Sequence, residues 1–370
     1  MELTNVRNYP YPARFAKASD WLQTAFYRQD SAIIGAVLAT WTALPLALSG
    51  ALLGAIGGAV VGALGVGGLG HFLGPFVQNQ GFGVIGAAIG AVAGMVVGVG
   101  FIYFYLVTHP IQLAGALFGG VVVSTLAFLI VVVAEPLILE LRGYRKLSRR
   151  EGQRMYPLLT QVAQKMGLDV VPALLISDSL KPGAWTHMRA VVVTRGLLGD
   201  YDASENPPRP DLDDNAVAAI LGHELHHWAE GDAVALMMIA VASFPLAFLL
   251  NAVAWVRVRA EWVGVILYAF IWPVWVCTRF VIVPLMSASS RKAEYEADEA
   301  VAQLGDEYRL GLRRALDELS AWERPRTGWE DVVTASHPPI EDRMEKLEAP
   351  RDDAKLAPAD ATVNTPRYAS

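Results

Sequence analysis

Within His223-Glu224-Leu225-His226-His227 two imidazoles stand four residues apart, in a chain that has seven histidines in all. Four residues is slightly more than one helical turn, so on a helix both rings project from one face and can hold one metal ion. Glu224 sits beside the first ring and can reach a water at the open position of such a metal. The ion lowers the pKa of that water to about 7, and the carboxylate then takes its proton during attack on a carbonyl. Both imidazoles must be neutral to bind, so activity is expected to fall in acid. The bland alternative is a surface helix with scattered histidines. A pattern this short arises by chance in on the order of one chain in a hundred at ordinary residue usage. Its place on an amphipathic helix just before an apolar block argues for the metal.

A third ligand is needed, and Ser290-Arg291-Lys292-Ala293-Glu294-Tyr295-Glu296-Ala297-Asp298 offers one. On a helix Glu294 and Asp298 share a face while Glu296 points elsewhere. Glu294 completes a His₂Glu set that leaves the fourth zinc position open, as catalysis requires. Asp298 then accepts from a ligating imidazole or pairs with an arginine. Alone, this run reads as a solvated, charge-laced helix; beside the histidines it reads as the other half of a site.

The order of motifs is specific. His223-Glu224-x-x-His227, then Gly231-Asp232, two apolar blocks, Ser290-Arg291-x-x-Glu294-Tyr295-x-Ala297-Asp298, and His337-Pro338-Pro339-Ile340-Glu341-Asp342-Arg343 together resemble the M48 family of membrane zinc metalloproteases. That family includes HtpX-type heat-shock proteases and Ste24-type CAAX proteases, and the resemblance covers roughly 155–347. It implies one zinc per chain on His223, His227 and Glu294, with Glu224 as general base and Asp232 in support. It also implies that His337 stabilises the tetrahedral oxyanion and that Arg343 pairs with Asp298. The fold implied is an α+β zincin-like catalytic domain. The activity implied is endoproteolysis of unfolded or membrane proteins at the cytoplasmic face of a cell membrane, in bacteria the inner one. CAAX-type processing is the alternative within the family. Two positions depart from its pattern. His226 stands where a small residue is usual, roughly 60° from His223 and 100° from His227 around the helix, and is read as a neighbour that donates to a carboxylate. Gly183-Ala184-Trp185 replaces an Asn-Ala-Phe strand near the substrate, which alters a side-chain contact and leaves main-chain pairing intact.

The elements that must carry these residues are mostly membrane helices. Apolar residues make up 54% of the 370 and charged residues only 18%, against about a quarter in ordinary soluble domains. The apolar residues gather in blocks long enough to span a bilayer. They are read as six spans: 31–48, 51–70, 83–108, 111–134, 233–256 and 262–286. The fold class is therefore a mostly α polytopic membrane protein carrying the catalytic domain. Its parts are an N-terminal tail 1–30, a glycine-rich bundle 31–136, a first catalytic segment 137–232, a membrane hairpin 233–286, a second catalytic segment 287–347, and a tail 348–370 of disordered composition. Arg7, Arg14, Lys17 and Arg28 before the bundle, and Arg142 to Arg154 after it, put both polar segments in the cytoplasm. Arg257 and Arg259 argue mildly the other way.

Gly50, Gly54, Gly58 and Gly62 recur every four residues, as do Gly86, Gly90, Gly94 and Gly98. Such faces let helix backbones approach in lipid, within one chain or between copies in a homo-oligomer. A channel or metal transporter built on this bundle is the non-enzyme alternative; Glu224 argues against it, because sensing a metal needs no carboxylate beside the first ligand. An intramembrane site-2 protease would bury its motif in a span, whereas polar 199–214 precedes this one. Leu174 to Ile176 and Ala190 to Val193 read as a small hairpin or edge sheet, 137–170 as a basic amphipathic helix pair, and Asp213 to Asn215 as the N-cap of the motif helix. Cys277 has no partner for a disulfide, the first 30 residues do not resemble a signal peptide, and no basic stripe suggests nucleic acid. The remaining partners are polypeptide substrates and the lipid bilayer.

Overall fold

The computed structural model describes residues 2–3, 11–12, 15–45, 54, 56–62, 89–91, 93–94, 97–98, 108–199, 212–321, 335 and 337–348. Most of the expected spans 51–70 and 83–108 and of the loop 199–214, part of the tail 1–30 and nearly all of the tail 348–370 lie outside these residues. The described chain is mostly helical, with one four-stranded sheet and a two-stranded parallel pairing of Glu2–Leu3 with Val170–Val171. Helices α1 (Ala18–Arg28), α2 (Asp30–Pro45) and α3 (Pro110–Leu141) come first. Strand β1 (Arg145–Lys146), helix α4 (Arg149–Lys165) and strands β2 (Ala173–Ser177), β3 (Ala184–Thr186) and β4 (Ala190–Thr194) follow. Helices α5 (Asp214–Glu230), α6 (Asp232–Arg259), α7 (Glu261–Phe270), α8 (Trp272–Cys277), α9 (Val283–Gln303), α10 (Asp306–Ser320) and α11 (Ile340–Glu348) complete it.

Pro110 opens α3 at a position where its missing N–H is no loss. The helix then continues through Pro136 to Leu141, past the expected end at 134. Residues 137–141 thus extend α3 instead of opening a basic helix pair. After β1 the chain makes one amphipathic helix, α4, whose start is set by reciprocal Ser148 and Glu151 capping.

The sheet order is β1-β2-β4-β3, with β3 at an edge. Residues 174–176 and 190–193 do not form a hairpin with each other. They run parallel, Leu174 opposite Val191, and the hairpin partner of β4 is β3, with Trp185 opposite Val192. The apolar runs of β2 and β4 lack polar alternation because both faces are covered, the usual state of parallel strands.

Helix α5 runs through the main hydrophobic core. Asp213 caps it, accepting from Ala216 N at 2.8 Å. Most of its surface is buried, against α4, α9, α10 and the sheet, and Leu221, Leu225 and Trp228 are fully enclosed. Gly231 ends it with φ +79°, a left-handed conformation that suits glycine. A Cβ there would also meet Ala25 Cβ at 2.6 Å, so α1 packs directly on the corner between α5 and α6.

Two described stretches, Leu117–Leu141 and Asp232–Arg259, are long and apolar enough to cross a membrane. Phe118, Ile130 and Val133 on the first and Phe244 and Phe248 on the second are exposed, as side chains facing lipid would be. The expected span 262–286 is not one helix. It bends once at Ile271, after α7, and then runs helically from α8 through a π-turn over Thr278–Ile282 into α9. Pro273 explains the bend: it lacks the N–H a continuous helix would use and falls in the first turn of α8. Two of the six expected spans are therefore continuous membrane-length helices among the described residues.

In the glycine-rich region Gly54 and Gly58 lie against Gly94 and Gly90. A methyl group on either would collide with the facing carbonyl oxygen, so here the four-residue spacing packs two segments of one chain.

Candidate metal centre

Helix α5 delivers His223 and His227, and α9 delivers Glu294. The two Nε2 atoms are 3.0 Å apart. Glu294 Oε2 lies 3.3 Å from His223 Nε2, and its Oε1 lies 3.6 Å from His227 Nε2. One ligand-type atom from each of the three falls within 4.8 Å of the others. Glu294 Oε2 is buried and has no aligned hydrogen-bond donor, although Arg343 Nη1 is 3.0 Å away. Two imidazoles and a carboxylate, converging with an oxygen left unaligned to any donor, fit a divalent cation of the zinc type.

A ring of charged partners orients these groups. Asp298 Oδ1 lies 3.0 Å from His223 Nδ1, and Asp232 Oδ2 lies 2.9 Å from His227 Nδ1, so each Nε2 is turned inward. Arg343 from α11 binds Asp298 bidentately at 2.7 and 2.6 Å. Burial acts against charge on the imidazoles, but the facing carboxylates outweigh it. His223 is shifted upward, and His227 is raised to about 10 by Asp232 and Glu294. Burial likewise opposes ionisation of Glu294, yet His223, His227 and His337 hold it well below the usual carboxylate range. The field inside the centre therefore favours positive charge.

Glu224 is buried beside this cluster. The Thr186 hydroxyl of edge strand β3 lies 2.7 Å from its Oε2 and 2.9 Å from its backbone carbonyl, ready to donate to either. Trp228 Nε1 donates to Met188 O, and Met188 N donates to Glu135 Oε1, so the β3–β4 turn is tied to both α5 and α3. A cavity of about 400 Å³ opens here, walled by Thr186, Glu224, His227, Glu294 and His337 and reaching Gln29 and Leu236 at its membrane-helix side. His337 is largely exposed, its Nδ1 2.8 Å from Glu294 Oε1. His226 lies off the cluster, its ring edge-on to His227 at 6.5 Å. Its Nε2 has no hydrogen-bond partner among the described residues, and burial with the nearby His227 and Arg28 charges lowers it to about 3.

Three residues of this site are invisible to motif reading. Thr186 belongs to a short strand with no pattern of its own. Arg28, at the end of α1, reaches Asp232 at 3.1 Å across 204 residues of sequence, and also binds Glu230 at 3.3 Å and Glu296 at 2.7 Å. Gln29 follows it. A basic residue ending an amphipathic helix is the one signal Arg28 offers, and it names no partner.

The model described as peptidase family M48 matches residues 151–351, more than half of the chain and all of the centre except Arg28 and Gln29. A protein named protease HtpX homolog from Methanopyrus kandleri is 25% identical over 224 residues, covering 53% of this chain and 66% of that protein. Its namesake from Acidiphilium cryptum is 26% identical over 248 residues, covering 58% and 80% respectively. The crystal structure of S. mikatae Ste24p matches with TM-score 0.44 at 18% identity, covering 70% of this chain and 64% of that one, a likeness too loose to carry chemistry. With the family match lying across the buried histidine–carboxylate cluster, the chain belongs to peptidase family M48, the family of membrane metalloproteases.

Proposed function

We propose that the chain is a zinc-dependent endopeptidase cutting unfolded or membrane polypeptides at the cytoplasmic face of a cell membrane. One observation carries this reading: His223, His227 and Glu294, from helices on either side of a membrane hairpin, converge within 4.8 Å beside the buried carboxylate of Glu224. In this reading the three hold one zinc, which when bound supplies the Lewis acidity that peptide hydrolysis needs near neutral pH. Glu224 takes the proton of the attacking water and returns it to the leaving amine, its carboxylate oriented by Thr186. His337, on the cavity wall, donates toward the developing oxyanion. Asp298 and Asp232 hold the imidazoles in register, and Arg343 offsets the charge of Asp298.

The substrate lies extended along β3, adding a strand through main-chain hydrogen bonds; the edge position of β3 supports this. Segments 137–232 and 287–347 form one domain on one membrane face, a reading supported by the packing of α5 on α9 and α10. The lysine and arginine distribution supports the cytoplasmic side, and the apolar blocks support six spans, the last of them bent.

The test is metal analysis coupled to cleavage. Protein purified in detergent should carry about one zinc per chain and digest a loose substrate such as casein. Glu224→Gln should keep the metal and lose turnover by roughly a hundredfold or more. A variant as fast as wild type would remove Glu224 from the mechanism, and a wild type free of metal would end the zinc reading.

A further inference from the structure

Gln29 lies at the junction of α1 and α2, only 2% exposed, and borders the cavity that contains Glu224, His227 and Glu294. Its backbone is used locally, the N–H donating to Phe26 O and the carbonyl accepting from Ile33 N. Its side chain is not: neither Nε2 nor Oε1 has a hydrogen-bond partner among the described residues. Buried polar atoms nearly always find partners, so the unpaired carboxamide of a residue that borders a cavity calls for an occupant to satisfy it. Several side chains on that wall are apolar or already engaged, Ser290 being a polar exception. Ala233, Leu236 and Ala293 offer no polar side-chain atom; Thr186 is committed to Glu224, and Asp232 to His227 and Arg28.

A primary carboxamide presents a donor and an acceptor side by side, and in an extended chain the N–H and C=O of one residue point to the same side and match that pair in reverse. The junction that carries Gln29 is also held firmly. The adjacent Arg28 binds three carboxylates, among them Asp232, which itself holds His227. Gln29 is thereby tied to the frame of the metal centre although it lies outside the matched family region. We propose that Gln29 is a substrate-binding residue whose carboxamide pairs with the backbone N–H and C=O of one residue of the bound polypeptide next to the scissile bond. This rests on the endopeptidase reading given above. The competing occupant is water: a void of about 30 Å³ bounded by Arg28, Gln29, Asp232 and Glu296 adjoins the residue, enough for one molecule.

The two are separated by a thermodynamic cycle on the full-length, zinc-loaded protein in detergent. A quenched peptide is compared with a set in which single backbone amides flanking the cleavage point are replaced by esters. Gln29→Leu keeps the volume and removes both polar atoms; it should retain zinc and lose roughly tenfold in kcat/KM on the all-amide peptide. One ester position should cost wild type a similar factor and cost Gln29→Leu almost nothing. Ester penalties equal in both proteins at every position would overturn the proposal in favour of a water-satisfied structural glutamine, as would an unchanged kcat/KM. If Gln29→Leu does not fold, Gln29→Met and Gln29→Glu enter the same cycle, with the same two outcomes. Wild type that cleaves none of the peptides would instead refute the endopeptidase reading itself.

Discussion

His223 and His227 each face a carboxylate through Nδ1 and the ligand-type Glu294 through Nε2. The cluster therefore attracts whichever cation is available. Without a metal that cation is the proton, which is why His227 rises to about 10 despite its burial. A metal binding there must displace it. Zinc affinity is accordingly expected to increase with pH up to that value and to fall by about tenfold per unit, per displaced proton, on acidification. Calorimetry of zinc binding at pH 8 in buffers of different ionisation enthalpy should show at least one proton released per ion. Release of none would mean that the imidazoles are already neutral in the metal-free protein. At this scale the sequence is most legible where helical periodicity applies. His223, His227, Glu294 and Asp298 can be placed on shared faces from spacing alone, whereas Arg28, Thr186 and Gln29 meet the centre only through packing between distant segments.

Among the elements, α5 is the most predictable. Its cap, its glycine stop and its ligand face are all written in consecutive residues. The strands are less so, because apolar runs such as Leu174 to Ile176 state that a strand is buried and leave its partner and direction open. The glycine-rich segments allow a direct test of close packing. Gly58 lies against the Gly90 carbonyl, while a Cβ on neighbouring Gly57 meets nothing within 4 Å. Gly58→Leu should therefore lower the thermal midpoint and the yield of folded protein, and Gly57→Leu should leave both near wild type. In free energy the first change costs on the order of 1–3 kcal/mol, the usual range for forcing a side chain into packed space. Equal tolerance of the two would show that the segments do not touch through this face.

For the whole molecule, acid acts on more than the metal. His187, in the turn that ties β3 to α5 and α3, is lowered to about 4, first by burial and then by the charge of Arg142. Its unfolded value is near 6.5. Above that the residue is neutral in both states and its contribution is fully present. As pH falls from about 6.5 toward 4 only the unfolded state takes up the proton, so stability is lost. Between pH 7 and 5 this amounts to about 2 kcal/mol. In thermal denaturation of the zinc-loaded protein, His187→Phe should show a smaller drop in midpoint over that interval than wild type. An identical drop would place the acid sensitivity elsewhere.

Residue order alone determined the helix that bears the motif, the two ligand faces, the apolar blocks and the family, because each rests on spacing within one segment or on the sequence of segments. Tertiary structure alone decided that α5 and α9 close on one point, that β2 and β4 run parallel, that the last apolar block bends at Ile271, and that the corner after α1 borders the cavity beside the candidate metal centre. The physical reason is range: periodicity and capping act over a few residues, while the distance from Arg28 to Asp232 is set by how separate helices pack.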